Sequence, residues 1–160
     1  MVAARVGLGF DVHRFSDDRG RPLMLGGVRF PGARGLEGHS DADVVVHALA
    51  DAMLGAAGLG DLGQHFPDTD PAWAGADSVA LLARVRAMVV EAGLGLVNGD
   101  CTVLLESPAL APYRPEMERR LSEVAGGPVQ VKATRPEGLG ALGRGEGAAC
   151  WAVVLLEDRR

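Results

Sequence analysis

Gly7-Leu8-Gly9-Phe10-Asp11-Val12-His13 is the stretch on which the fold reading turns. Taken with strand alternation, Val6, Leu8, Phe10 and Val12 fall on one apolar face. Gly7, Gly9, Asp11 and His13 fall on the other. The glycines strip that second face of bulk. The carboxylate and imidazole beyond them can then reach one ion lying above the sheet. An ordinary core strand with a polar end shows the same alternation, so residues further along the chain decide between the two.

The 160 residues fit one domain over 1–160, with 48% hydrophobic and 23% charged residues, as in an ordinary soluble globular protein. No apolar run reaches membrane-spanning length. Met1–Arg5 runs directly into the first strand without a secretory pattern, so the expected compartment is the cytoplasm. A net charge of −5 and no Lys/Arg cluster argue against nucleic acid as a partner. An anionic substrate would have to be held by metals or helix N-termini instead. Cys101 and Cys150, each in an apolar run, read as reduced core thiols.

Further along, Pro22–Leu25 and Val28–Pro31 flank Gly26-Gly27, which predicts a hairpin with a two-residue turn. Ser40 and Asp43 have capping-box spacing, so a helix is expected to start there and run to about Ala57. Asp43, His47 and Asp51 share one stripe of it. The two carboxylates either form a solvated face or orient His47 as a metal ligand. Residues 58–77 lack periodicity and read as a functional loop, although aspartate and proline are also the commonest turn formers. A second helix is expected over Ser78–Ala92, with Leu82, Val85, Val89 and Ala92 inward. A strand follows at Gly99–Glu106, then a helix opened by Pro115 and closed by Gly126-Gly127. Val129–Thr134 is a strand carrying the chain's only lysine, Lys132. The glycine-rich run 138–147 before the final strand Ala148–Leu156 matches no nucleotide-loop motif and reads as close backbone approach.

Asp11, His13 and His47 offer two imidazoles and one carboxylate. That set suits tetrahedral Zn²⁺ with an open fourth position, and non-haem iron uses the same ligands. At the expected helix start, His39 and Ser40 add an imidazole and a hydroxyl to free backbone N–H groups, a combination suited to phosphate. No Ser or Cys stands in a nucleophile motif. The residues by themselves point to a metal-assisted reaction at phosphorus or on a phosphorylated substrate.

Five motifs then carry a resemblance. They are Gly9-Phe10-Asp11-Val12-His13; His39-Ser40-Asp41 with His47; Phe66-Pro67-Asp68-Thr69-Asp70; Lys132-Ala133-Thr134 with Glu137; and Gly143-Arg144-Gly145-Glu146-Gly147. In this order and spacing the chain resembles the 2-C-methyl-D-erythritol 2,4-cyclodiphosphate synthase family nearly end to end. The resemblance implies an α+β subunit, a mixed sheet with helices on one face, and a homotrimer with sheets packed about the three-fold axis. It implies a metal-dependent lyase of non-mevalonate isoprenoid biosynthesis. The substrate would be 4-diphosphocytidyl-2-C-methyl-D-erythritol 2-phosphate, cyclised with release of CMP in sites shared between subunits.

By position, the resemblance puts Zn²⁺ on Asp11, His13 and His47, and Mg²⁺ or Mn²⁺ with the substrate phosphates at Glu137. His39 and Arg135 become the catalytic positions. Substrate would touch Asp11, Val12 and His13, with His39 and Ser40 at a phosphate. Asp61, Leu62 and Gly63 would hold the methylerythritol moiety together with Phe66, Pro67, Asp68, Thr69 and Asp70. Leu105, Glu106, Ser107, Pro108, Ala109, Leu110 and Ala111 would embrace the cytidine and its phosphates, facing Ala133, Thr134, Arg135, Pro136 and Glu137. Ala141 and Arg144 complete the set. Two departures stand out: Pro108-Ala109-Leu110 where the family commonly has Pro-Lys-Leu, and Arg135-Pro136 where a second threonine commonly follows Ala-Thr. Arg135 either supplies charge to a phosphate or turns outward. The alternative function is a non-catalytic trimeric sensor of an isoprenoid or nucleotide, in which Arg144 and Glu146 gate an axial cavity.

Overall fold

In the computed structural model, which describes residues 4–159, Ala4–Arg14 forms strand β1. Met1–Ala3, expected to lead directly into that strand, and Arg160 lie outside the described residues. The hairpin forms as expected from β2 (Leu23–Leu25) and β3 (Val28–Phe30), with Gly26 and Gly27 at φ of 59° and 73° in its turn. Helices α1 (Val44–Ala57), α2 (Leu62–His65) and α3 (Ser78–Glu91) follow in succession, and α4 (Arg114–Ala125) and α5 (Gly140–Gly143) fall between the remaining strands. These are β4 (Leu94–Leu104), β5 (Val129–Thr134) and β6 (Gly147–Asp158).

The main sheet runs β1-β6-β4-β5, antiparallel except for the parallel β4–β5 pair. This is a mixed sheet in an α+β fold, with α1 packed on β1 and β6, and α4 on β5. On the outer face, Lys132 pairs with Asp100 of β4 at 2.6 Å. No helix among the described residues is long and apolar enough to cross a membrane.

The two faces of β1 have unexpected surroundings. The glycine face is the buried one, because α1 lies directly on it. A Cβ on Gly7 would sit 1.9 Å from the Ala52 carbonyl oxygen, and one on Gly9 would sit 1.9 Å from that of Ala48. Only glycine lets helix and strand backbones approach so closely. The apolar face looks out of the subunit, with Val6 at 70% and Leu8 at 65% exposure. Gly9→Ala must therefore push α1 off the strand. It is expected to lower stability by about 1–3 kcal/mol or more, read as a lower thermal midpoint. An unchanged midpoint would contradict this packing.

Three expectations need correcting. α1 begins at Val44 and its N-cap is Asp43, not Ser40. The Asp43 carboxylate accepts from Val45 and Val46 N–H and, across the fold, from Gly26 and Gly27 N–H. Those hairpin amides make Asp43 the better cap, and its carboxylate occupies the helix end on which a phosphate was expected. Ala92 is exposed because α3 ends at Glu91 and leaves it as the C-cap, whereas Leu82, Val85 and Val89 turn to the core and Leu81, not expected inward, is also buried. The 58–77 and 138–147 segments are not wholly irregular. They hold α2, a 3₁₀ turn at Pro71–Trp73, and α5.

Candidate metal centre and substrate pocket

Strand alternation brings Asp11 and His13 to the helix-facing side of β1, and α1 lowers His47 onto them. Ligand atoms of the three residues all lie within 4.8 Å of one another. His13 Nδ1 is 2.6 Å from the Glu37 carbonyl oxygen. A carbonyl only accepts, so Nδ1 carries the proton and Nε2 turns its lone pair inward, 3.1 Å from Asp11 Oδ2. The same carboxylate oxygen is 2.9 Å from His47 Nδ1. Electron-rich atoms converge this way only around a cation or a proton, so the set fits a divalent metal with a position left for substrate. Burial works against the charged Asp11, but the His13 and His47 rings against it outweigh that and hold its pKa well below the usual carboxylate range. For His13, burial is likewise overcome. The bond and charge of Asp11, with the Glu37 carbonyl, raise its pKa.

His47 is not oriented by Asp43 and Asp51. Asp43 caps α1, and Asp51 accepts from the Leu62 N–H. The far nitrogen of His47, Nε2, instead lies 2.8 Å from Ser78 Oγ and 3.2 Å from Ser40 Oγ.

Beside the metal group opens a pocket of about 310 Å³, lined in part by His13, His39, Ser40, His47, Phe66 and Asp68. His39 Nε2 donates to the Asp70 carbonyl at 3.4 Å. The loop carrying His39 and Ser40 is pinned by Arg21, whose guanidinium bonds the carbonyl oxygens of Leu36, Gly38 and Ser40. Gly38 makes room for His13, since a Cβ there would lie 3.0 Å from its ring. Asp61, Leu62 and Gly63 border a neighbouring pocket of about 230 Å³ with Asp11 and His47. Asp61 is also the N-cap of α2, and Thr69 is exposed. Val12 points to the opposite face of β1, away from the metal group. Pro67 sits half-buried in the loop.

Other sequence-predicted residues gather elsewhere. Leu105, Glu106, Pro108–Ala111, Ala133, Thr134 and Arg135 surround a separate pocket of about 150 Å³. Ser107, joined to Pro108 by a cis peptide, and Arg144 line another with Phe15 and Arg34. Ala141 lies in α5. Arg144 forms an ion pair with Glu146 at 2.6 Å. Pro136 is half-buried, and Glu137 is exposed at a φ of 54° just past β5. Reading the registers across, Asp11 faces Cys150, Cys150 faces Val103, and Val103 faces Ala133. The metal group and the second pocket thus lie on one row at opposite sheet edges, about 14 Å apart. Cys150 and Val103, between them, are fully buried.

Trp73, Leu81, Ser78 and Arg21 were not anticipated from the sequence. Trp73 and Leu81 complete the pocket wall, with Trp73 edge-on to Phe66 at 5.1 Å and the Arg84 guanidinium 5.0 Å from its ring centroid. Nothing local marks these residues, because each acts on segments distant in sequence.

The model of the YgbB family matches residues 4–157. A 2-C-methyl-D-erythritol 2,4-cyclodiphosphate synthase of Symbiobacterium thermophilum is 55% identical over 157 residues, covering 96% of this chain and 99% of the relative. Among solved structures, the bifunctional IspDF of Campylobacter jejuni superposes with a TM-score of 0.93 at 41% identity, over 99% of this chain and 43% of that longer one. The CDP complex of Plasmodium falciparum IspF gives 0.85 at 28% identity, over 99% of this chain and 98% of that one. With the match running through both sheet edges and every motif between them, the chain belongs to the YgbB family, that of the 2-C-methyl-D-erythritol 2,4-cyclodiphosphate synthases.

Proposed function

We propose that residues 1–160 act as one cytoplasmic enzyme domain converting 4-diphosphocytidyl-2-C-methyl-D-erythritol 2-phosphate to 2-C-methyl-D-erythritol 2,4-cyclodiphosphate and CMP. The observation that carries the reading is the convergence of Asp11, His13 and His47 beside a pocket walled by His39 and Ser40. An oxygen of the 2-phosphate attacks the β-phosphorus. The bond from that phosphorus to the bridging oxygen breaks, and CMP leaves in line. No protein nucleophile is needed, so the chain's contribution is alignment and charge. Asp11, His13 and His47 would hold Zn²⁺, and Glu137 would hold Mg²⁺ or Mn²⁺, which when bound would supply positive charge to phosphates that otherwise repel one another.

His39 and Ser40, pinned through Arg21, hold the attacking phosphate. Phe66 and Asp68 face the methylerythritol carbons and hydroxyls. The pocket of Leu105–Ala111 and Ala133–Arg135 takes the cytidine, with Arg135 turned to a phosphate. One substrate must then touch both edges of the sheet, and the buried row between them bars that path within one subunit. The reading is therefore a homotrimer in which β1 of one copy meets the β5 edge of the next. The outward apolar face of β1 and β6, where the tilted rings of Phe10 and Trp151 pack with centroids 4.9 Å apart, is a patch that a partner would cover.

The test is CMP release from this substrate by purified protein, with and without Zn²⁺ and Mg²⁺. Metal-dependent release supports the reading. Tight binding without turnover favours the sensor and contradicts it. Glu137→Gln is expected to weaken the Mg²⁺ dependence of CMP release while bound zinc stays unchanged. A fall in zinc content would mean that Glu137 belongs to the first metal site.

A further inference from the structure

Behind His47, on the side away from Asp11, stands a chain of polar groups that runs from buried Ser78 to half-buried Asp41. Ser78, at the start of α3, has no exposed surface. Its Oγ donates to Asp41 Oδ1, and its backbone N–H donates to Asp41 Oδ2 at 3.1 Å. Asp41 Oδ1 also accepts from the Asp43 N–H at 3.2 Å. Both Asp41 oxygens already accept backbone N–H groups, so the carboxylate is the acceptor in the Ser78 contact as well, and the one hydroxyl proton of Ser78 is committed to it. The 2.8 Å contact with His47 then has one solution, in which His47 Nε2–H donates to the Ser78 oxygen.

We propose that Asp41 and Ser78 are positioning residues for the metal centre. They fix His47 with its proton on Nε2, leave the Nδ1 lone pair for the cation, and lock the ring's rotation. Without them, a neutral His47 could place its proton on Nδ1, which faces the Asp11 carboxylate and would be lost as a ligand. The relay also ties the loop bearing His39 and Ser40 to the metal, because Asp41 follows Ser40 directly and Ser40 Oγ reaches the same nitrogen at 3.2 Å. This inference rests on the proposed metal reading. Zinc binding by the unaltered protein tests that reading, whereas the variants test the relay.

The experiment measures Zn²⁺ affinity by competition with a chromophoric chelator for the unaltered protein, Ser78→Ala and Asp41→Asn. It also records the His47 Nε2–H resonance of each zinc-loaded form by NMR. Loss of such a support is expected to weaken zinc about 10–100-fold in Ser78→Ala, with a smaller loss in Asp41→Asn. The Nε2–H signal, protected in the unaltered protein, should shift and exchange faster with water in both variants. A role confined to fold stability would lower the melting temperature and leave that signal in place. If Ser78→Ala folds poorly by circular dichroism, Asp41→Asn, which keeps the hydroxyl and an acceptor oxygen, decides alone. Affinity and resonance both unchanged in a folded variant would overturn the relay.

Discussion

Replacing His47 with alanine is expected to abolish CMP release and strip the protein of zinc while the chain stays folded. Alanine is the best helix former, and position 47 lies within the first turns of α1, whose cap at Asp43 the change leaves intact. What disappears is one of the three ligands, the imidazole that faces both Asp11 and the pocket. Losing a single preorganised charge-stabilising group costs about 10²–10³ in turnover. Losing the cation's anchor removes more than one such group, so the fall should exceed that range. The check pairs metal analysis with CMP release at saturating substrate. Undiminished turnover by His47→Ala in metal-depleted buffer would remove the metal from the account.

The second large effect is a gain. Asp11→Asn and Glu137→Ala should each be inactive alone, because each cripples one half of a site. If the halves come from neighbouring copies, as the opposite-edge placement of Asp11 and Ala133 supports, mixing must rescue them. After equal mixing and random reassembly, about a quarter of head-to-tail interfaces pair two intact halves. Activity should return to roughly that fraction. Reassembled mixed trimers that stay inactive would place the whole site within one subunit.

Much of this was legible in the sequence because it depends on short-range periodicity. The alternation over residues 6–13 put Asp11 and His13 on one face, and the spacing from His47 to its helix start put a third ligand on α1. The Gly26-Gly27 turn, the helix ended by Gly126 and the β5 strand all follow local backbone preferences. The misreadings arose where a distant segment outcompetes the local one. Ser40 has the capping spacing, but Asp43 gains two further N–H donors from the hairpin and takes the role. Asp43 and Asp51 share the His47 stripe, yet Ser78, contributed by another helix, is the group that holds the ring. Which face of β1 is buried also could not be read from alternation. Burial there is set by how closely α1 approaches Gly7 and Gly9, and the outward Val6, Leu8 and Phe10 suit a surface covered by a partner copy.

The central claim is a cyclisation at phosphorus, and ³¹P NMR of the reaction tests it most directly. Incubated with 4-diphosphocytidyl-2-C-methyl-D-erythritol 2-phosphate, Zn²⁺ and Mg²⁺, the protein should convert the substrate signals into those of CMP and one cyclic diphosphate, in equal amounts. Linear phosphate products would show that water, not the 2-phosphate, attacks the β-phosphorus, and unchanged substrate signals at full binding would show that the chain does not catalyse the step. Either result would contradict the account.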